Sequence, residues 1–71
     1  MESASQILER LYSLPTSSLD FRHTLHSLIQ VDKEERYLTK LKEPGLTRLL
    51  DLLDKVRAVP STFRRFRDRL L

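Results

Sequence analysis

Three prolines set the frame within which this chain can fold. Pro15, Pro44 and Pro60 cut it into short segments. Each proline lacks the N–H that a helix interior requires, and each pushes the residue before it out of the α region. Between these breaks apolar residues recur at helical spacing, and strict strand alternation is absent. A single glycine in 71 residues also argues against a turn-rich β fold.

In the first segment Ile7, Leu8, Leu11 and Leu14 share a face, and Ser3 or Ser5 can cap its start. Pro15, followed by Thr16, Ser17 and Ser18, ends it. Asp20 or Ser18 can cap a second helix whose stripe is Phe21, Leu25, Leu28 and Ile29. The run "VDKEERYLTKL" then has the form of a new helix start, with Asp32 as N-cap and Glu35 three residues on. Tyr37, Leu38 and Leu41 are the apolar residues of this short third helix.

"EPG" at residues 43–45 breaks the chain again, and Pro44 suits the first turn of a fourth helix. That helix is expected from Leu46 to about Ala58. Leu46, Leu49, Leu50, Leu53 and Val56 form its stripe, with Leu52 on the edge. Leu50 and Leu53 sit mid-stripe and are expected in the core. Asp51–Lys55, Arg48–Asp51 and Asp54–Arg57 have the spacing of weak ion pairs on the polar face. Pro60 ends this helix, and Ser61 or Thr62 can cap a fifth. The expected fold is all-α, a compact bundle of about five short helices, in a single helical domain over residues 1–71.

A domain this small buries only about 60% of its unfolded surface. It has no cysteine, so helix packing or a partner must supply the stability that disulfides or thiolate-bound metal give other small scaffolds. The chain stops on Leu70 and Leu71. Either these leucines dock onto the bundle or the domain continues beyond residue 71 in a longer parent protein. No apolar run approaches the roughly 20 residues that span a bilayer. The opening stretch lacks the basic start and apolar core of a signal peptide. The expected location is cytoplasmic, with the nucleus as the alternative.

Catalytic and metal chemistry find little support. His23 and His26 are three apart, with Asp20 nearby, but Phe21, Leu25 and Leu28 claim the inner face and turn both histidines to solvent. Glu34 and Glu35 diverge by about 100° on a helix and cannot share a proton. Asp51 and Asp54 have basic neighbours. There is no nucleophile–base signature, and one glycine cannot make a phosphate loop. The chain is therefore read as a non-enzyme with no cofactor and no metal site.

Charge is concentrated at the end. Residues 1–60 hold nine Lys/Arg and nine Asp/Glu, whereas residues 61–71 hold four arginines against Asp68. On a helical wheel Arg65 and Arg69 share a face, Arg64 has Asp68 four residues on, and Arg67 flanks the apolar stripe of Phe63, Phe66 and Leu70. The arginines ring the helix instead of lining one side, and Asp68 interrupts them. A solvated cationic helix is the plain reading, since cations in a last turn complement the helix dipole; among binding readings a protein partner of acidic character, or self-association, fits this pattern better than nucleic acid or an anionic membrane. The candidate partner-binding residues are Arg65, Arg69, Phe63, Phe66 and Leu70. The rival reading is a small nucleic-acid-binding protein led by Arg64, Arg65, Arg67 and Arg69.

The stretch "LLDLLDKVRAVPSTFRRF" resembles the small helical segment near the N-terminus of many basidiomycete fungal proteins, several with a downstream tyrosine-kinase-like protein kinase domain. The likeness rests on Leu50, Asp51, Leu53, Asp54, Lys55, Val56, Pro60, Phe63 and Arg64, and "FRHTLHSLI" and "KEERYLTKL" extend it. It implies a non-catalytic accessory module for signalling contacts. This chain holds no kinase motif, and no catalytic residue is transferred to it. The functional expectation is a helical protein–protein interaction or regulatory, adaptor-like module that uses the exposed faces of its last two helices.

Overall fold

The computed structural model describes residues 2–56 and 61–70; within the last helix it describes the side chains of Ser61, Arg64, Arg65, Arg67 and Asp68. Every regular element among these residues is helical. The order is α1 (Ala4–Tyr12), α2 (Leu19–Glu35), a 3-10 turn (Leu38–Lys40), α3 (Gly45–Asp54) and α4 (Ser61–Leu70). The chain divides into two compact units, Met1–Lys40 and Leu41–Leu71.

The first unit is a helical hairpin. Ser3 caps α1, accepting the Gln6 N–H, while the Gln6 side chain accepts the Ser3 N–H at 2.9 Å. This reciprocal capping box resolves the choice between Ser3 and Ser5. Ala4, Ile7, Leu8 and Leu11 bury one face of α1. Leu14 falls beyond the helix and is half-buried. Ser18, not Asp20, caps α2, and its hydroxyl accepts the Phe21 N–H at 3.1 Å. Asp20 instead stands in the first turn, where its charge favours the helix dipole.

The buried residues of α2 are Phe21, Thr24, Leu25 and Leu28, spaced i, i+3, i+4, i+7. Thr24 takes the inner position expected of Ile29, which is half-buried. Phe21, Leu11 and Leu28 are among the largest fully buried side chains. Each contributes about 1.5–3 kcal/mol of burial.

The expected second and third helices are one. α2 runs unbroken for 17 residues, so the α-helices are fewer than the five expected. Asp32 and Glu35 are not the cap and box partner of a new helix. At about 100° per residue they continue the inward arc of Phe21, Thr24, Leu25 and Leu28. Acids occupy these positions because orphan donors face them. Asp32 Oδ1 accepts the Leu38 N–H at 2.9 Å, and Glu35 Oε2 accepts the Ala4 N–H at 3.0 Å. The second bond ties the last residue of α2 to the first of α1 and fixes the two helices as antiparallel.

Arg36 ends α2 in the left-handed region, φ 53°, ψ 33°, with its N–H on the Asp32 carbonyl at 2.8 Å. The chain turns there, so Tyr37 to Leu41 cannot form the expected third helix. It makes the 3-10 turn that buries Leu38.

In the second unit, Pro44 precedes α3 and offers no side-chain cap. Glu43 supplies one from outside: Oε1 accepts the Thr47 N–H at 3.0 Å, and Oε2 accepts the Thr47 hydroxyl. Leu49 and Leu53 are buried, whereas Leu46, Leu50, Leu52 and Val56 are half-buried. The wheel explains this ranking. Leu50 and Leu52 lie about 80° to either side of the line between Leu49 and Leu53. Leu53 is thus core as expected, while Leu50 is a flank and Leu49 holds its place.

The helix α3 ends at Asp54, earlier than the expected Ala58. The Lys55 and Val56 N–H groups fall back on the Leu52 and Leu53 carbonyls at 3.1 and 3.2 Å. These three-residue bonds tighten and finish the last turn. Residues 57–60, Ala58 among them, lie outside the described residues. Among the described residues, no helix is long and apolar enough to cross a membrane.

Candidate interaction surface

Helix α4 carries four of the chain's thirteen Lys/Arg residues in ten positions. Its sequence suits a helix, since arginine is a good helix former and no glycine or proline interrupts it. Arg64 and Arg65 are both exposed. Arg67 is different. Its side chain is 30% exposed and its Nη1 lies 3.6 Å from Asp54 Oδ1 at the end of α3. Its Nε also lies 4.0 Å from Asp68 Oδ1. Helical spacing pairs Asp68 with Arg64, one turn away. In the structure Arg67 lies beside Asp68, and it also reaches Asp54.

This pairing has a local cause. Asp54 ends α3, where a negative charge meets the negative pole of the helix dipole. A cation brought beside it offsets that repulsion. Both carboxylates are largely exposed, 68% for Asp54 and 72% for Asp68. Such pairs contribute about 0–1 kcal/mol. Their consequence is positional: Arg67 is engaged within its own unit.

Of the candidate contact residues, Arg65 is exposed as expected. The side chains of Phe63, Phe66, Arg69 and Leu70, and the whole of Leu71, lie outside the described residues.

His23 and His26 are exposed on α2, as the apolar stripe requires. Among the described residues there is no group of three or more His, Asp or Glu side chains that could hold a metal ion. Asp32 and Glu35 spend their carboxylates on backbone donors, a role the sequence pattern did not reveal. Their spacing from Phe21 and Leu28 was the available signal, and the capping-box likeness obscured it.

No family model, no curated protein and no solved structure matches this chain.

Proposed function

We propose that the chain is a non-catalytic helical interaction module, regulatory or adaptor-like, that engages an acidic protein partner or a second copy through α4 and the exposed side of α3. The observation that carries this reading is the division of labour among the arginines. Arg64 and Arg65 are exposed, while Arg67 is drawn to Asp54 and Asp68. A surface that tracks phosphates gains from every cation it can present and loses from acids among them. A protein-docking helix tolerates this mixture, and arginine and phenylalanine are enriched at such contacts. Phe63, Phe66 and Leu70 are the proposed anchors, with Arg65 and Arg69 toward the partner. The resemblance to the helical segment of fungal kinase-bearing proteins supports an accessory role in signalling, and the proposed location is the cytoplasm.

Two variants and one titration test this reading. Phe66→Ala should weaken folding or self-association, whereas Arg65→Ala with Arg69→Ala should leave the melting temperature nearly unchanged and reduce partner capture. Binding to DNA or RNA that falls by orders of magnitude between about 50 and 200 mM salt, as phosphate contacts do, and that vanishes in the double arginine variant, would replace it with nucleic-acid recognition.

A further inference from the structure

At the end of α2, local sequence and tertiary packing disagree. Residues 19–43 contain neither glycine nor proline. Eight of residues 33–42 are Lys, Glu, Arg or Leu, all strong helix formers. Nothing in that run breaks a helix, yet α2 stops at Glu35. It stops because Arg36 takes a left-handed conformation, φ 53°, where glycine is the usual occupant.

Two features hold the bend. The Asp32 carboxylate accepts the Leu38 N–H at 2.9 Å, and Leu38 is buried, 3% exposed. The bond from the Arg36 N–H to the Asp32 carbonyl spans four residues, so a continuous helix would keep it. In such a helix the Leu38 N–H would turn to the Glu34 carbonyl. Its side chain would then lie roughly a quarter-turn from the centre of the Phe21, Thr24, Leu25 and Leu28 arc. Burial of Leu38 therefore favours the bend. Strain at Arg36 and the helix formers around it favour a straight α2.

We propose that Arg36 is the joint of a two-state device. The bent state, latched by Asp32 and Leu38, is the major one. In the minor state α2 runs unbroken through Lys40, Asp32 releases the Leu38 N–H and Leu38 leaves the core. Arg36 and Lys40 then stand one turn apart, and their like charges help to keep this state minor. The joint precedes the boundary between the two compact units, which follows Lys40. Its state decides whether the chain enters the unit of α3 and α4 from a turn or from a helix. The device is independent of what α4 binds.

NMR relaxation dispersion on the full 71-residue chain, isotopically labelled, tests this. Exchange on the microsecond-to-millisecond scale should be centred on residues 36–40, with minor-state carbon shifts helical through Lys40. Asp32→Ala should raise the minor population about tenfold, the scale of a hydrogen bond to a charged group. Arg36→Gly should lower it about tenfold, since glycine relieves the left-handed strain and disfavours the helix. Amide shifts of α1 and of the first half of α2 should stay native in both variants. The proposal fails if the minor state of residues 36–40 is unfolded instead of helical. It fails equally if Arg36→Gly raises that population, or if Asp32→Ala shows no helical signal beyond Glu35.

Discussion

The Glu35 carboxylate accepts the backbone N–H of Ala4 at 3.0 Å, so the end of α2 caps the beginning of α1. This bond adds an anion to a helix N-terminus that Ser3 and Gln6 already cap from within. Helix starts gain from both hydrogen-bond acceptors and negative charge. Glu35→Ala should therefore lower stability by about 0.5–1 kcal/mol, and Glu35→Gln by less, since the amide keeps an acceptor. Urea midpoints would check this. An unchanged midpoint for the alanine variant would mean that the contact contributes nothing.

Ser3 and Ser5 are two residues apart and their hydroxyls lie 3.0 Å from each other, yet only Ser3 accepts from the helix. Ser3→Ala should cost about 1 kcal/mol, the usual loss of an N-cap. Ser5→Ala should be neutral or stabilise by a few tenths of a kcal/mol, as its position is already inside α1 and alanine favours the helix. Thermal unfolding of the pair distinguishes the roles, and equal losses would contradict the capping geometry.

Arg36 holds a left-handed conformation that glycine adopts without a side-chain penalty. Its φ of 53° places a Cβ where L-residues meet roughly 1–2 kcal/mol of strain. Arg36→Gly should raise stability by about 0.5–1 kcal/mol, because the greater freedom of glycine in the unfolded chain offsets part of the relief. A fall in the urea midpoint would show that the arginine side chain stabilises this turn by other means.

Leu53 is 1% exposed, and Leu50, three residues earlier on the same helix, is only half-buried. Leu53→Ala should cost about 2–5 kcal/mol, as buried leucines do. Leu50→Ala should cost clearly less. Calorimetry of both variants would check the orientation of α3. Equal losses, or the larger loss at Leu50, would rotate its buried side.

Periodicity made α1, the first half of α2 and α3 legible in the sequence, because their apolar stripes are unbroken. It failed at Asp32 and Glu35, where acids stand on the inward arc. Their partners, Leu38 and Ala4, are chosen by the tertiary arrangement, and Ala4 is 31 residues from Glu35. No local rule distinguishes such acids from a capping box. The breadth of the α3 stripe caused a smaller error. Five leucines on one helix leave its centre open, and only burial ranks Leu49 above Leu50. At the candidate surface, the wheel sufficed to turn Arg65 outward. It could not show that Arg67 reaches Asp54, since that pair depends on how the chain returns from α3 to α4.

The bond between Ala4 and Glu35 also has a meaning in time. A chain made from its N-terminus at about 5–20 residues per second finishes α1 before Glu35 exists, and the 31 residues that follow Ala4 up to and including Glu35 take roughly 1.5–6 seconds to add. During that interval α1 is a nine-residue segment. That is shorter than the about 12–15 residues at which even favourable isolated helices persist in water. The hairpin therefore waits on its own second arm, and until the chain through Glu35 is available Ile7, Leu8 and Leu11 have no completed α2 to pack on.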